Sequence, residues 1–540
     1  MRPWWKEAII YQIYPRSFKD SNNDGDGDIQ GIISKLDYLA NLGIDAIWLS
    51  PIYLSPMKDN GYDVANYYEI NPMFGSMEDF DELIVESKKR NIKIIMDLVC
   101  NHTSTEHPWF KEAIKDPNSK FHDYYFFRKK PDDKKSSFGG SAWCYVKEID
   151  EYYYHYFDES QADLNWANEE VRKEVSNIVK FWMEKGCGGF RLDAIELIGK
   201  DLEQNIICNG PGIHDYLHEL NQNAFALYDA MSVGEGWPTV PIALDYTKES
   251  RSELSMIFQF ETATLDWNTN FAGKYNPVEI ESKKLKESIT RWQKGLEQEG
   301  WNTLFLENHD LGRSVSRYGN DGKYWRESAK MLATMMAFLK GTLFLYQGQE
   351  LGATNPKLQD FSLYNDVDTL TKYKELVQDL KILSEEEFKQ GIAQNSRDNG
   401  RTPMHWNVSI NAGFNEGAKP WLFMNDNYHY INVDSELSDG NSVLNFYKKL
   451  IKLRKSTCKE VILTGSYEEL EQFENHPDLF IYRRKKRDEE LIIICNLGEE
   501  EIAFNSQIIT NEYDLVIHNY DKVEKTLRPY EVIVVGGRII

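Results

Sequence analysis

The run IKIIMDLV, Ile92 to Val99, is apolar on both faces of the strand it would form and carries a carboxylate, Asp97, near its end. A strand without a wet face belongs inside a parallel sheet covered by helices. The residues before it, SMEDFDELIVESKKR from Ser76, carry the 3.6-residue repeat of an amphipathic helix. Seven further runs of the same kind lie on either side: AIIYQIY from Ala8, DAIWLS from Asp45, GGFRLDA from Gly188, MSVGE from Met231, LSMIFQF from Leu254, TLFLE from Thr303 and TLFLY from Thr342. Helical patterns such as IQGIISKLDYLANLG, NEEVRKEVSNIVKFWMEKG and SAKMLATMMAFLKG fall between them. Eight strands alternating with helices predict an α/β fold, a (β/α)₈ TIM barrel.

One connection is too long for a βα link. From Val99 to Asn168 the chain is aromatic and polar (WFKEAIKD, HDYYFFRKK, GGSAWCY, YYYHYF), which predicts a small domain over the barrel mouth. A second insertion, near 355–399, reads as acidic helices. Beyond SVLNFYKKLIKLRK come the short strand-like runs VILTGSY, LFIYRRK, ELIIICNL, YDLVIHNY and YEVIVVGG, read as an all-β sandwich. The division is therefore 1–102 and 168–457 for the barrel, 103–167 for the inserted domain, and 458–540 for the C-terminal domain.

Barrel enzymes carry their chemistry at the C-terminal ends of the strands. Asp97, Asp193, Glu235 and Asp310 all fall there. Most acids are merely solvated loop residues, but four at equivalent places in one barrel indicate a site. Strands four and five are neighbours about 4.8 Å apart. Asp193 and Glu235 can thus approach to about 5 Å, the spacing of a retaining glycosidase. Arg191, two residues before Asp193, points the same way and is expected to hold it ionised. Apolar neighbours of Glu235 are expected to raise its pKa towards an acid's role. His102 and His309 are placed to donate hydrogen bonds to sugar hydroxyls. In DSNNDGDGD, the residues Asp20, Asn22, Asp24 and Asp28, with the Asp26 carbonyl, set hard oxygens around a glycine turn. This reads as a structural Ca²⁺ site, although Gly31 replaces the twelfth-position Glu of an EF-hand loop and no helix precedes it.

The net charge of -24 disfavours nucleic acid and anionic membranes as partners. Six scattered cysteines form no C-x-x-C pair, which suits a reduced, cytoplasmic protein. Neither a signal-peptide core nor an apolar run of membrane-spanning length is seen.

DLVCNH, GFRLDA, VGE and ENHD, in that order, resemble the conserved regions of the α-amylase superfamily. NGYD at Asn60, QADLN at Gln161 and SRDNGRTPMHW at Ser396 are similar to its oligo-1,6-glucosidase branch. CNGP at Cys208 and ELSMIFQFE at Glu253 resemble the glucan 1,6-α-glucosidases (dextran glucosidases) of that branch. The resemblance implies Asp193 as nucleophile, Glu235 as acid/base and Asp310 as stabiliser of the distorted sugar. It implies a terminal-glucose pocket made with Asp59, Tyr62, His102, Arg191, His309 and Arg397, and a calcium loop of Asp20, Asn22, Asp24, Asp26 and Asp28. It needs no organic cofactor. The expected protein is a monomeric, exo-acting α-glucosidase that removes non-reducing glucose from oligosaccharides. Ala194 stands where the 1,6-specific members carry Val, which implies α-1,4 activity beside α-1,6. Gly236, Glu307, Gln349 and His405 also depart from the branch pattern. The alternatives are a maltase-type α-1,4-glucosidase, a sucrose- or trehalose-6-phosphate-cleaving relative, an isomerase or transglycosylase sharing the covalent intermediate, and a non-catalytic transporter-accessory protein. The last should lack one of the acids, and a phosphorylated substrate needs cations at the leaving-group site.

Overall fold

The computed structural model describes residues 2–358, 360–504 and 513–538. Residue 1 of the predicted barrel, 359 of the predicted helical insertion, and 505–512 and 539–540 of the predicted C-terminal domain lie outside the described residues.

Eight parallel strands form the centre: β1 (Ile9–Ile13), β2 (Ala46–Leu49), β3 (Lys93–Leu98), β4 (Gly189–Leu192), β5 (Met231–Gly234), β6 (Met256–Ile257), β7 (Thr303–Leu304) and β8 (Thr342–Tyr346). Their order is β6-β5-β4-β3-β2-β1-β8-β7. The remaining gap, between β6 and β7, is bridged by the Thr303 hydroxyl, which donates to the Ile257 carbonyl at 3.2 Å. Apart from Lys93, the strand residues are buried, as both-face packing requires. The outer helices are capped by their own side chains. Helix α1 (Met77–Lys89) opens with a capping box between Ser76 and Asp79. Helix α2 (Glu169–Glu184) starts at Asn168 and turns Val171, Val175, Ile178, Val179 and Trp182 inward.

Between β3 and α2 the chain leaves and returns through an antiparallel ribbon, His102–Ser104 against Gln161–Asp163. It encloses a helix, Pro108–Lys115, and a three-stranded sheet of Phe127–Arg128, Trp143–Val146 and Glu151–Tyr154. Trp143 and Tyr154 of that sheet pack against Leu202, from the loop after β4. A wholly buried ion pair fixes the same junction: the Lys200 ammonium lies 2.9 Å from Asp163 and donates to the Asn101 amide oxygen at 2.6 Å. Burying two charges costs several kcal/mol unless each is fully partnered, so the inserted segment is held by a junction that fails if either side chain is lost.

Helix α3 (Trp325–Ala337) precedes β8, and α4 (Glu385–Asn395), with an N-terminal capping box at Ser384, lies in the second insertion. Helix α5 (Val443–Lys455) then leads to the C-terminal sheet. VILTGSY departs from its predicted strand: Lys459–Thr464 is helix α6, and the strand begins only at Ser466. A short apolar run does not distinguish a buried helix from a strand, and here Val461, Ile462 and Leu463 are all buried on one helical turn. The sheet consists of β9 (Ser466–Glu469), β10 (Leu479–Lys486), β11 (Glu489–Asn496), β12 (Tyr513–His518) and β13 (Val532–Arg538), in the antiparallel order β9-β10-β11-β13-β12. Alternate residues divide it. Leu479, Ile481, Ile492, Ile494, Ile533 and Val535 pack with the ribbon Ile502–Ala503/Thr526–Leu527, while Phe480, Tyr482, Ile493, Val532 and Val534 join the barrel core. That gives the expected two-layered β domain, with its second layer reduced to one ribbon.

Arg454 on α5 ties barrel to tail. It is 3% exposed and donates to the carbonyls of Ala337, Leu339 and Gly341, at and just beyond the C-terminus of α3. Each acceptor left dry costs about 1–3 kcal/mol, and the cation also opposes the helix dipole. Arg454→Met should therefore lower stability by roughly 3 kcal/mol, with Arg454→Lys recovering part of the loss. A urea midpoint equal to wild type for Arg454→Met would refute this role.

Candidate active site

Strand register brings the acids together. Arg191 on β4 lies opposite Asp97 on β3, and Leu192 lies opposite Gly234 on β5. The ladder runs one step further, because the Asp193 N–H donates to Leu98 O at 3.0 Å and the Glu235 N–H to Leu192 O at 2.8 Å. The chain then turns sharply at Ala194 (φ 44°), in left-handed backbone that is uncommon outside glycine. That turn aims the Ala194 N–H at the Glu235 carboxylate, 3.0 Å away.

Arg191 serves three carboxylates at once. One terminal nitrogen lies 2.8 Å from both Asp97 and Asp193, and the other 2.8 Å from Glu235. Arg191 is 1% exposed, so these charges interact with little screening. One cation does not balance three anions. Burial, reinforced by the neighbouring carboxylates, pushes Asp193 and Glu235 each up to about 7 and Asp97 up to about 6, against the pull of Arg191. Arg191 thus does not by itself hold Asp193 in the ordinary carboxylate range, as the sequence suggested. Asp193 and Glu235 are instead both raised, by burial before all else, into the neutral range.

Asp310 is the counterpart. Arg401 lies 2.9 Å and Arg397 3.5 Å from its carboxylate. Burial alone would raise its pKa, but these guanidiniums and His309 hold it far below the carboxylate range. The imidazole itself is driven down to about 3 by burial, so the two arginines carry the positive charge. Gln12 donates its amide to His309 Nδ1 at 2.8 Å. The ring proton therefore sits on Nε2, which faces the Tyr62 hydroxyl at 2.6 Å and Asp310 at 3.2 Å. The Tyr62 hydroxyl donates on to Asp97 at 3.1 Å. His102 is likewise kept neutral by burial, at about 4, and its Nε2 meets the Tyr62 carbonyl at 3.0 Å.

Asp59, Tyr62, His102, Asp193, Glu235, His309, Asp310 and Arg397 line one cavity of about 170 Å³. Drug-sized pockets run to roughly 300–1,000 Å³, so this space suits a single small group. Arg191 lies beneath the wall. Arg397, in the wall, lies 3.2 Å from Asp59 and 2.6 Å from Asp366. Burial raises Asp59 to about 6 despite Arg397. Phe138 and Phe157 of the inserted segment, Trp237, Phe260 and Trp267 complete the walls.

Sequence reasoning missed Gln12, Gln161, Asp366 and Arg401. Arg401 had a signal: it follows Arg397 by four residues, one helical turn, and both reach Asp310. Gln12 is the polar interruption in AIIYQIY. Asp366 gave no signal, because an acid at the start of a helix usually just caps it. The departures from the branch pattern sit in quiet places. Glu307 pairs with Arg313 at 3.2 Å, Gln349 accepts the Tyr346 N–H, His405 meets the Ile431 carbonyl, and Gly236 makes room for the Glu196 carboxyl, 2.7 Å from where a β-carbon would stand.

The acidic loop lies apart from this cavity. Asp20 accepts the N–H groups of Asn23 and Gly25, Asn22 that of Asp24, Asp24 that of Asp26, and Asp28 that of Gly31. Among the described residues no three acidic, His or Cys side chains converge as a ready metal cluster. The all-oxygen donor set nevertheless fits a hard cation. The loop grips residues 414–421: Asn415 donates to Asp20 at 2.9 Å, and the N–H groups of Glu416 and Ala418 donate to the Asn23 side chain. Arg16 joins Asp26 to Asn60, beside Asp59 in the pocket wall.

Residues 12–465 match the family described as alpha amylase, catalytic domain. The chain is 47% identical to an oligo-1,6-glucosidase of Bacillus cereus, over 99% of both chains. It is 45% identical to a glucan 1,6-alpha-glucosidase of Streptococcus pneumoniae, over 92% of both. The crystal structure of a Bacillus licheniformis trehalose-6-phosphate hydrolase superposes with a TM-score of 0.92 at 44% identity, covering 99% of this chain and 100% of that one. Barrel, strand-end acids and full-length likeness agree, and the chain belongs to the alpha-amylase family of glycoside hydrolases.

Proposed function

We propose that this enzyme is a retaining α-glucosidase that takes single glucose units from the non-reducing ends of oligosaccharides. The observation that carries this reading is the pairing of Asp193 and Glu235, in register on adjacent strand ends and on the two terminal nitrogens of one buried arginine. Asp193 attacks the anomeric carbon while Glu235 passes its proton to the departing glycosidic oxygen. Glu235 then takes a proton from water, which attacks the same carbon and releases Asp193, so the configuration is retained. Asp310, held ionised by Arg397 and Arg401, grips the hydroxyls of the distorted sugar. The Asp59–Arg397 pair stops the pocket after one residue, which favours a chain end over an internal link.

Charge argues for a neutral substrate over a phosphorylated one. The cavity presents the five carboxylates Asp59, Asp193, Glu235, Asp310 and Asp368 against Lys274 and Arg397. Both cations are already engaged, Lys274 with Asp368 at 2.6 Å and Arg397 with Asp366. The proposed substrates are isomalto-oligosaccharides, with α-1,4 links accepted because Ala194 leaves space that a valine would fill. Such apolar discrimination amounts to about 1–3 kcal/mol. Ala194→Val should therefore raise the isomaltose-to-maltose ratio of kcat/KM, and an unchanged ratio would remove Ala194 as the gate. All six cysteines are unpaired, which supports a reducing, cytoplasmic setting. The described residues hold no helix long and apolar enough to cross a membrane. A monomer with no nucleic-acid or membrane partner is the accompanying proposal.

Turnover needs Asp193 ionised and Glu235 protonated, so kcat/KM should follow a bell centred near neutral pH. Asp193→Asn should abolish turnover with the fold intact. Glu235→Gln should spare aryl α-glucosides with good leaving groups and cripple isomaltose. With those aryl substrates its alkaline limb should vanish. Its acid limb should move to lower pH, because loss of a negative neighbour lowers the Asp193 pKa. Equal losses on both substrate types would contradict the acid role.

The loop Asp20–Asp28 is proposed to hold Ca²⁺, since its oxygens, spaced around left-handed Asn23 and Gly25, suit that ion. A metal bound only by the native state stabilises it. Chelation should thus lower the Tm while low-temperature activity persists. The proposal fails if the Tm is unmoved and elemental analysis finds no metal.

A further inference from the structure

His102 is a wall of the inner pocket, and its ring is buried. Kept neutral by that burial, it carries one ring proton near pH 7. A neutral imidazole has one donor nitrogen and one acceptor, and its partners decide which is which. Nε2 is on the pocket side, since its neighbours Tyr62 and Gln161 are walls as well. Nδ1 faces away, towards the side-chain amide of Asn101, whose Nδ2 is 3.1 Å off.

An amide can turn over, and on its own Asn101 would suit either tautomer. Here a charge of each sign holds it. The Lys200 ammonium, a donor without a lone pair, lies 2.6 Å from Oδ1. The Asp163 carboxylate, an acceptor in its ion pair with Lys200, lies 3.3 Å from Nδ2. Turning the amide over would set the ammonium against NH₂ and the carboxylate against a carbonyl oxygen. Nδ2 therefore faces His102, Nδ1 accepts, and the ring proton sits on Nε2. The Tyr62 carbonyl, 3.0 Å from Nε2, demands the same proton. One contact opposes it: Gln161 Nε2 stands 3.1 Å from His102 Nε2. That amide is committed elsewhere, since it donates to Asp59 at 3.2 Å and accepts the Asp158 N–H at 3.0 Å. The alternative tautomer would leave two mismatches, at Asn101 and at Tyr62, in place of one.

We infer that Lys200 is a positioning residue for the sugar pocket: through Asn101 it fixes the His102 ring proton on Nε2, where the wall offers an N–H donor to a sugar hydroxyl. This rests on the α-glucosidase reading above and deepens it. His102 meets the sugar, and Lys200 acts two side chains behind it.

The proton is located by the ring ¹⁵N shifts of ¹⁵N-histidine-labelled protein without substrate, with His102→Gln identifying the signals. Wild type should show a protonated Nε2 and a bare Nδ1. Lys200→Met/Asp163→Asn removes both charges together, which spares the fold an unpaired buried ion. It should move both ring nitrogens towards the mean of the two tautomers. Asn101→Asp keeps an acceptor for Lys200 but turns an acceptor on Nδ1, which must then carry a proton, and the new carboxylate raises the His102 pKa. Below that pKa the imidazolium still offers Nε2–H, and KM for an aryl α-glucoside should match wild type. Above it the proton leaves from Nε2, and the ratio of variant to wild-type KM should climb to roughly tenfold, the worth of one hydrogen bond. A purely structural role would lower the Tm without moving the ring proton or bending that ratio with pH. A wild-type proton on Nδ1, or ring shifts unchanged in the Lys200→Met/Asp163→Asn protein, overturns the inference, as does a flat KM ratio for Asn101→Asp. Wild type that cleaves no aryl α-glucoside overturns the α-glucosidase reading instead, because the proton is located without substrate.

Discussion

One cation buried among three carboxylates sets the terms for the rest of the site. Arg191 costs several kcal/mol to desolvate, and that cost is met only if β3, β4 and β5 stay in a register that delivers Asp97, Asp193 and Glu235 to its nitrogens. A one-residue slip on β4 would turn Arg191 and Asp193 to the opposite face. The same constraint produces the chemistry. Raised to about 7, Glu235 gives and takes a proton with little driving force either way near neutral pH, which suits a group that protonates the leaving oxygen in one step and deprotonates water in the next. Across the pocket the balance is reversed. Asp310 meets two guanidiniums and stays ionised throughout, so Asp193 and Glu235 titrate near neutral pH where Asp310 does not.

Most of the barrel was legible because buried parallel strands announce themselves by continuous apolar runs, and strand ends mark where chemistry sits. Asp193, Glu235 and Asp310 were readable on that ground, His102 and His309 from their places beside strand-end acids, and Tyr62 and Arg397 through family resemblance. What escaped depends on contacts between residues far apart in sequence. Asp366 matters because the second insertion folds back to lay it against Arg397, a pairing that no local pattern encodes. The proton balance of Asp193 was misjudged because Arg191 was counted against one acid when the register gives it three. VILT was misread because its burial, set by the sheet behind it, outweighs β-propensity.

The inserted segment depends on the barrel in a similar way. Its Phe110, Tyr124, Tyr125 and Tyr153 join the barrel core, and Lys200, Asp163 and Asn101 add a buried polar junction. The ammonium there gathers oxygens from both sides of the connection, as a bound metal ion would. It holds Gln161 and His102, on the paired ribbon, against the pocket wall, so the wall's geometry rests on a lysine below it.

A pocket that ends at the Asp59–Arg397 pair, as proposed above, has a kinetic consequence. On that reading the freed glucose has no rear exit and leaves by the mouth through which the chain came in. The shortened chain must first withdraw before that glucose can escape, so an enzyme of this shape cannot slide along a polymer making successive cuts. Every cleavage is a separate encounter. While the shortened chain still lingers at the mouth it obstructs water, and a sugar hydroxyl then stands nearest the covalent intermediate. The balance between hydrolysis and sugar transfer is thereby governed by how quickly the departing chain lets go.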